Sequence, residues 1–212
     1  MRILHTSDWH LGQHFIGRSR AVEHQKFFAW LLGQVQQQAL NAIIVAGDVF
    51  DTATPPSYAR ELYNQFIVDL QPTGCQLVIL GGNHDSPAVL AESKQLLAKL
   101  NTRVIPAIAA EPVDQLILLT DQQGSPGCLL AAIPYLRPRD LLQSQAGQTG
   151  QQKQQNLQQA IAAHCQQLYD LAQQYNQQHQ QDLPIVLTGH LTTVGVSQSE
   201  SVRDIYIGNL EA

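Results

Sequence analysis

Four short stretches of this 212-residue chain gather the side chains that can hold a metal ion: Asp8-Trp9-His10, Gly47-Asp48-Val49-Phe50-Asp51, Gly82-Asn83-His84-Asp85 and Gly189-His190. Carboxylate, imidazole and amide oxygen together suit a hard-to-borderline divalent cation such as Mn²⁺, Fe²⁺ or Zn²⁺. Glycines beside three of the four let backbone come close to an ion or a phosphate. Taken singly, each stretch has an ordinary explanation. Asp-x-His occurs by chance, Gly-Asp closes many strands, Asn-His-Asp can cap a helix, and His190 can be a satisfied strand-end histidine. Their common position sets them apart, because each follows an apolar run.

Those runs alternate with helical periodicity. Arg2 to Thr6 reads as a strand ending at Ser7-Asp8. Val22, Phe27, Phe28, Leu31, Leu32 and Val35 recur at helical spacing and predict a helix over 21–38. Asn41 to Ala46 is a buried-strand run cut off by Gly47-Asp48. Thr54-Pro55-Pro56 reads as a cap with proline in the first turn of a helix reaching Leu70. Gln76 to Leu80 is the next strand, and Ser86-Pro87 opens a helix to Leu100. The pattern then turns to β at Val104-Ile105, Leu116 to Thr120 and Cys128 to Ile133, with a hairpin turn at Gly124-Ser125-Pro126-Gly127. Residues 143–155 read as a connector and 156–178 as a long glutamine-rich helix, followed by strands at Ile185 to Leu187 and Ile205 to Ile207. Strand and helix in alternation predict an α/β layered fold. Ligands of such sheets bind beyond the carboxyl ends of the strands, where all four polar stretches lie.

Composition narrows the setting. Charged residues make up 14% of the chain, against about 25% in soluble domains, and the formal net charge is −5. Only 12 Lys and Arg argue against a general nucleic-acid binder, so a site for phosphates would draw positive charge from a bound metal. Cys75, Cys128 and Cys165 are too far apart for a zinc finger and odd in number for a disulfide framework. Without a signal-like start or an apolar run of membrane-spanning length, a cytoplasmic protein is expected.

In this order, Asp8-x-His10, Gly47-Asp48-x-x-Asp51, Gly82-Asn83-His84-Asp85 and Gly189-His190 resemble the calcineurin-like metallophosphoesterase superfamily. The segments Ile3-Leu4-His5-Thr6-Ser7-Asp8-Trp9-His10-Leu11-Gly12, Gly47 to Thr52 and Ile79 to Ser86 are similar to its DNA-repair nucleases of the Mre-eleven type. The resemblance implies a layered fold with central β-sheets flanked by helices, and one metallophosphoesterase nuclease domain over 1–212. It implies two divalent metal ions, Mn²⁺ foremost, with Asp48 bridging, Asp8 and His10 on the first and Asn83 and His190 on the second. Two such ions can polarise a phosphodiester and stabilise the leaving oxygen. His84 matches the catalytic histidine, a general acid or a stabiliser of transition-state charge. Asp51 and Asp85 match groups that orient a histidine or a ligand, although Asp51 can equally be a solvated turn residue. The implied activity is exonucleolytic cutting of double-stranded DNA and endonucleolytic cutting of single strands and hairpins. The implied partners are DNA, an SbcC-like SMC-type ATPase subunit and a second copy of the nuclease, paired through the helix over 57–70.

The family also carries a Gly-His-x-His motif downstream, and no histidine follows His190 here. The expectation is therefore a truncated core without the capping and partner-binding regions, with incomplete metal sites. Two other readings remain: an inactive or non-catalytic member of the fold, or a phosphatase or small-molecule phosphodiesterase of the same superfamily. The phosphatases place an arginine soon after the second aspartate, whereas Asp51 here precedes Thr52-Ala53-Thr54-Pro55. His14, Arg18 and Arg20 follow the first motif and could touch a DNA backbone, as could Arg137 and Arg139, or they are simply solvated. Trp9 is expected under the site, His5 near it, and His164 and His179 in solvent.

Overall fold

Strand β1 (Ile3–Thr6) lies at the edge of a four-stranded parallel sheet, beside β4 (Ala42–Ala46). The computed structural model describes residues 1–142 and 149–191. Between these strands come a short hairpin of β2 (His14–Phe15) and β3 (Arg18–Ser19), then helix α1 (Ala21–Gln37). Helix α2 (Ser57–Leu70) returns the chain to β5 (Gln76–Leu80), and α3 (Pro87–Ala91) and α4 (Lys94–Ala98) lead to β6 (Thr102–Ile105). The strand order β1-β4-β5-β6 follows the sequence order of the crossovers.

A second, three-stranded sheet holds β7 (Leu116–Thr120), antiparallel to β8 (Pro126–Ile133), which pairs in parallel with β9 (Ile185–Gly189). Helix α5 (Pro138–Leu141) and the long α6 (Gly150–Gln178) connect β8 to β9. Alternate residues of a strand face opposite sides, and the central strands are apolar on both. Ile43, Val45, Leu77 and Ile79 pack towards α1 and α2 with Phe28, Leu31, Phe66 and Ile67. Ala42, Ile44, Ala46, Val78 and Leu80 pack instead against Leu119, Leu130 and Ala132 of the second sheet. The outer face of that sheet meets α6 through Ala131, Ile133 and Leu168. The layers run helix, sheet, sheet, helix.

Several expectations change here. Thr54 does not cap α2; its carbonyl accepts from Thr52 Oγ1 at 3.2 Å, and the helix begins only at Ser57. Thr54 and Pro55 each precede a proline, which pushes a residue out of the helical region, so the turn cannot form until both prolines are passed. Ser86 does cap α3, but the expected helix to Leu100 breaks at Ser93, whose φ of −108° and ψ of 10° lie outside the helical range. Strand β6, expected with the later β region, is the fourth strand of the first sheet. Helix α6 begins within the expected connector. Thr149 and Gln152 form a reciprocal capping box, with Gln152 N donating to Thr149 Oγ1 (3.2 Å) and Thr149 N to Gln152 Oε1 (2.9 Å). His164 is buried, not solvated, because it opens the stripe His164, Leu168, Ala172 and Asn176 at four-residue spacing. The remaining connector residues 143–148 and the expected strand at Ile205 to Ile207 lie outside the described residues. Among the described residues no helix is long and apolar enough to cross a membrane.

Candidate metal centre

Beyond their last paired residues, β1 and β4 keep running side by side as loops. Asp8 N donates to Gly47 O, His10 N to Asp48 O and Leu11 N to Val49 O, at 3.0, 3.0 and 2.9 Å. Asp8, His10 and Asp48 themselves sit at φ of 56°, 45° and 51°, a left-handed backbone that non-glycine residues adopt at a cost. Trp9, between the two ligand positions, turns inward: it is buried, and its ring meets Phe28 and Phe66 edge-on at 5.0 and 5.4 Å. One buried indole thus fixes the loop while its neighbours point out.

Asp8, His10 and Asp48 each offer one ligand atom, all within 4.8 Å of one another. His10 Nε2 lies 3.7 Å from Asp8 Oδ1 and 3.7 Å from Asp48 Oδ2. On the other side of the same Asp48 oxygen, His190 Nε2 is 3.5 Å away. Asp48 Oδ1 is occupied differently, accepting from His84 N at 3.0 Å, so Oδ2 is left facing both histidines. His190 Nδ1 donates to Ala46 O (2.8 Å), which aims Nε2 into the site, where Asn83 Oδ1 lies 2.9 Å from it. Two acceptor oxygens therefore surround one imidazole nitrogen, an arrangement that calls for a cation between them. In the metal-free chain a proton can fill that place; a divalent ion fits the same donors.

The electrostatics agree with that. The Asp8 carboxyl is held below its ordinary range chiefly by His10. Burial pushes Asp48 up, but His190 and the His84 N–H outweigh it and leave it lowered. Asp8 raises His10 against the opposing effect of burial. For His190 burial is the larger single influence, yet Asp48 and the Ala46 carbonyl together raise it.

Asp51 lies beside both neighbouring histidines. Its carboxylate is 3.3 Å from His10 Nδ1, and its carbonyl accepts from His84 Nδ1 at 2.9 Å. His84 Nε2 then faces the centre, 4.0 Å from Asp48 Oδ2. Asp85 makes no hydrogen bond or ion pair with a histidine side chain among the described residues. Its buried carboxylate accepts the backbone N–H of Val49 (3.1 Å), Phe50 (2.9 Å) and Gly82 (2.8 Å), tying the loop of Asp48 to that of Asn83. Burial raises its pKa despite these three donors. Two glycines are required by proximity: a Cβ on Gly82 would overlap the Asp48 carboxylate, and one on Gly47, at φ 92°, would overlap the His190 ring.

His14, Arg18 and Arg20 gather at the β2–β3 hairpin, apart from these contacts. His14 Nδ1 lies 3.1 Å from Gly12 O and Arg20 donates to Gln13 Oε1 at 2.8 Å. Ser19 donates to the Tyr58 hydroxyl, which donates to Gly12 O, each at 3.1 Å, fastening the hairpin to α2. His5, exposed, reaches Thr188 Oγ1 at 2.7 Å and links the two sheets. No motif pointed to the part played by the exit of β8: Tyr135 N donates to Gly81 O at 2.7 Å, and Arg137 donates to Asp85 O at 3.0 Å.

Comparison with known proteins supplies the context. Over all 212 residues the chain is 56% identical to the SbcD subunit of the nuclease SbcCD of Escherichia coli, and it covers 52% of that protein. The Rhodobacter capsulatus protein of the same name is 37% identical over 149 residues, 66% of this chain and 36% of its own length. That of Bacillus subtilis is 38% identical over 114 residues, 53% of this chain and 29% of its own length. The chain thus spans about half the length of the Escherichia coli relative. Residues 1–194, which include every ligand position described above, match the model of the calcineurin-like phosphoesterases, and the chain belongs to that family.

Proposed function

We propose that this chain carries the catalytic domain of a DNA-end nuclease, a metal-dependent hydrolase of phosphodiester bonds. The carrying observation is the position of Asp48 Oδ2, 3.7 Å from His10 Nε2 and 3.5 Å from His190 Nε2, as a carboxylate shared by two ions requires. The 56% identity to a nuclease subunit over the whole chain supports a nucleic acid as the substrate. Asp8 and His10 would hold one ion and Asn83 and His190 the other, with Asp48 placed to serve both. Mn²⁺ suits this mixture of oxygen and nitrogen donors. When bound, the ions supply Lewis acidity and a nucleophile at neutral pH.

The chain's own groups do the rest. Asp51 holds the His84 ring by Nδ1, so Nε2 is presented to the reacting phosphate, where it donates a proton or stabilises developing charge. Asp85 fixes the backbone beneath both ligand loops. The cuts are exonucleolytic on double-stranded ends and endonucleolytic on single strands and hairpins. The partner is an SbcC-like SMC-type ATPase, the nuclease pairs with a second copy of itself, and the setting is the cytoplasm. His14, Arg18 and Arg20 guide the DNA backbone from the hairpin beside α2.

The test uses Mn²⁺ with three substrates: a double-stranded end, a hairpin and p-nitrophenyl phosphate, with Asp48→Ala as control. Cutting of DNA that falls at least about 10³-fold in Asp48→Ala, with little phosphomonoester turnover, is expected. Faster hydrolysis of the monoester than of DNA would replace the nuclease reading with a phosphatase.

A further inference from the structure

The Gly82–Asp85 loop carries Asn83 and His84 between two carbonyls that share one donor. Arg137 NH2 reaches Asp85 O at 3.0 Å and Gly82 O at 3.5 Å. Its guanidinium carbon lies 5.7 Å from the centre of the Tyr135 ring, and that ring meets the His190 ring edge-on at 6.2 Å. The half-buried guanidinium has no carboxylate within 4.0 Å among the described residues, unlike exposed Arg139, which pairs with Asp140 at 3.6 Å. A cation buried in this way without an acidic partner directs its hydrogen bonds to backbone, and a charged donor makes such bonds stronger than neutral ones. The preceding backbone adds a second tie, Tyr135 N to Gly81 O at 2.7 Å.

We infer that Arg137 is a positioning residue of this loop: its guanidinium joins the carbonyl at the start to the carbonyl at the end, and so helps to set the aim of Asn83 and His84. The donor comes from the exit of β8, in the second sheet, while the loop leaves β5, in the first. Arg137 therefore holds the two sheets in register at the point where His190, from β9, meets Asn83. The inference rests on the reading of Asn83 and His190 as ligands of one ion.

Mn²⁺ titrated calorimetrically into the full chain tests it, with Asn83→Ala, Asp8→Ala, Arg137→Met and Arg137→Lys. Asn83→Ala and Asp8→Ala identify the two binding events. Arg137→Met keeps an unbranched apolar side chain and removes the donors. It should weaken the Asn83-dependent event by about 10–100-fold, the usual cost of losing a group that orients a ligand, and spare the Asp8-dependent one. Arg137→Lys should recover part of that loss, because an ammonium can still donate to a carbonyl. Equal weakening of both events, with Arg137→Lys no better than Arg137→Met, would reduce Arg137 to general packing and overturn the inference. So would an unchanged Asn83-dependent event in Arg137→Met. If Asn83→Ala alters no binding event, the ligand assignment itself fails and the inference falls with it.

Discussion

On the side of the first sheet, Asp8, His10 and Asp48 stand on loops that continue the hydrogen bonding of β1 and β4 beyond the strands, with Trp9 packed beneath. On the side of the second sheet, His190 stands at the end of β9 and is aimed by one bond to Ala46 O, from the opposite sheet. The first half is fixed by backbone within one sheet. The second half depends on the packing of two sheets against each other, through Leu80, Ala46, Leu130 and Ala132. The Asp8–His10 half is thus preorganised locally, and the Asn83–His190 half is assembled by tertiary contact.

The largest effect is expected where both halves meet. Gly82→Ala would drive a methyl group into the Asp48 carboxylate. Overpacking of that kind costs about 1–3 kcal/mol, and here the displaced group is the proposed shared ligand. Mn²⁺ binding to both halves should be lost together, with a lowered denaturation midpoint, as calorimetry and urea titration can read.

His190→Ala separates the halves. It removes a proposed ligand from the assembled half alone, so calorimetry should show one Mn²⁺ event lost and the Asp8-dependent one kept. Loss of both would mean that the first sheet's half does not stand by itself.

Acidity acts on both halves. His10 and His190 are raised above the ordinary histidine value of about 6.5 by neighbouring carboxylates. In the metal-free chain they contribute stability that is fully present below about pH 6.5 and is lost as pH rises through their raised values. Asp8 and Asp48, held low, contribute stability that is lost as pH falls through their lowered values. Mn²⁺ needs neutral imidazoles, so acid weakens its binding: affinity should fall by up to about tenfold per pH unit of acidification for each proton displaced. Calorimetry in buffers of different ionisation enthalpy counts those protons, and the count should drop by one in His190→Ala.

The smallest effect concerns backbone. Asp8 is exposed and sits at φ 56°, so Asp8→Gly relieves a left-handed residue at the expense of chain entropy. Because the carboxylate that faces His10 is lost as well, the metal-free protein should shift by less than about 1 kcal/mol in either direction while the Asp8-dependent Mn²⁺ event disappears. Destabilisation well beyond that would show that the loop is held by the Asp8 carboxylate instead of by the β1–β4 ladder.

Much of this arrangement was readable in the residues. Ile43-Ile44-Val45 is apolar at every position because both faces of β4 are covered, and Gly47-Asp48 then marks where the strand gives way to the site. The order of the four polar stretches at strand ends carried the family and the grouping of Asp8, His10 and Asp48. The Thr149-x-x-Gln152 capping signal was also present, hidden by the glutamine bias around it. Other features depend on tertiary contact. His164 reads as polar until α6 turns it towards the second sheet, and Ser93 breaks a helix whose apolar spacing looks continuous. Asp85 could be expected to orient a histidine, but two of its three backbone donors, Val49 and Phe50, lie 36 and 35 residues away in sequence. Arg137 looked like a surface cation because nothing in its own segment shows that two loop carbonyls lie within reach.

The most direct test is anomalous scattering at the manganese edge from crystals of this chain grown with Mn²⁺. Two peaks are expected on either side of Asp48 Oδ2, one beside Asp8 and His10 and the other beside Asn83 and His190. A single peak, or peaks away from Asp48, would contradict the shared-carboxylate centre.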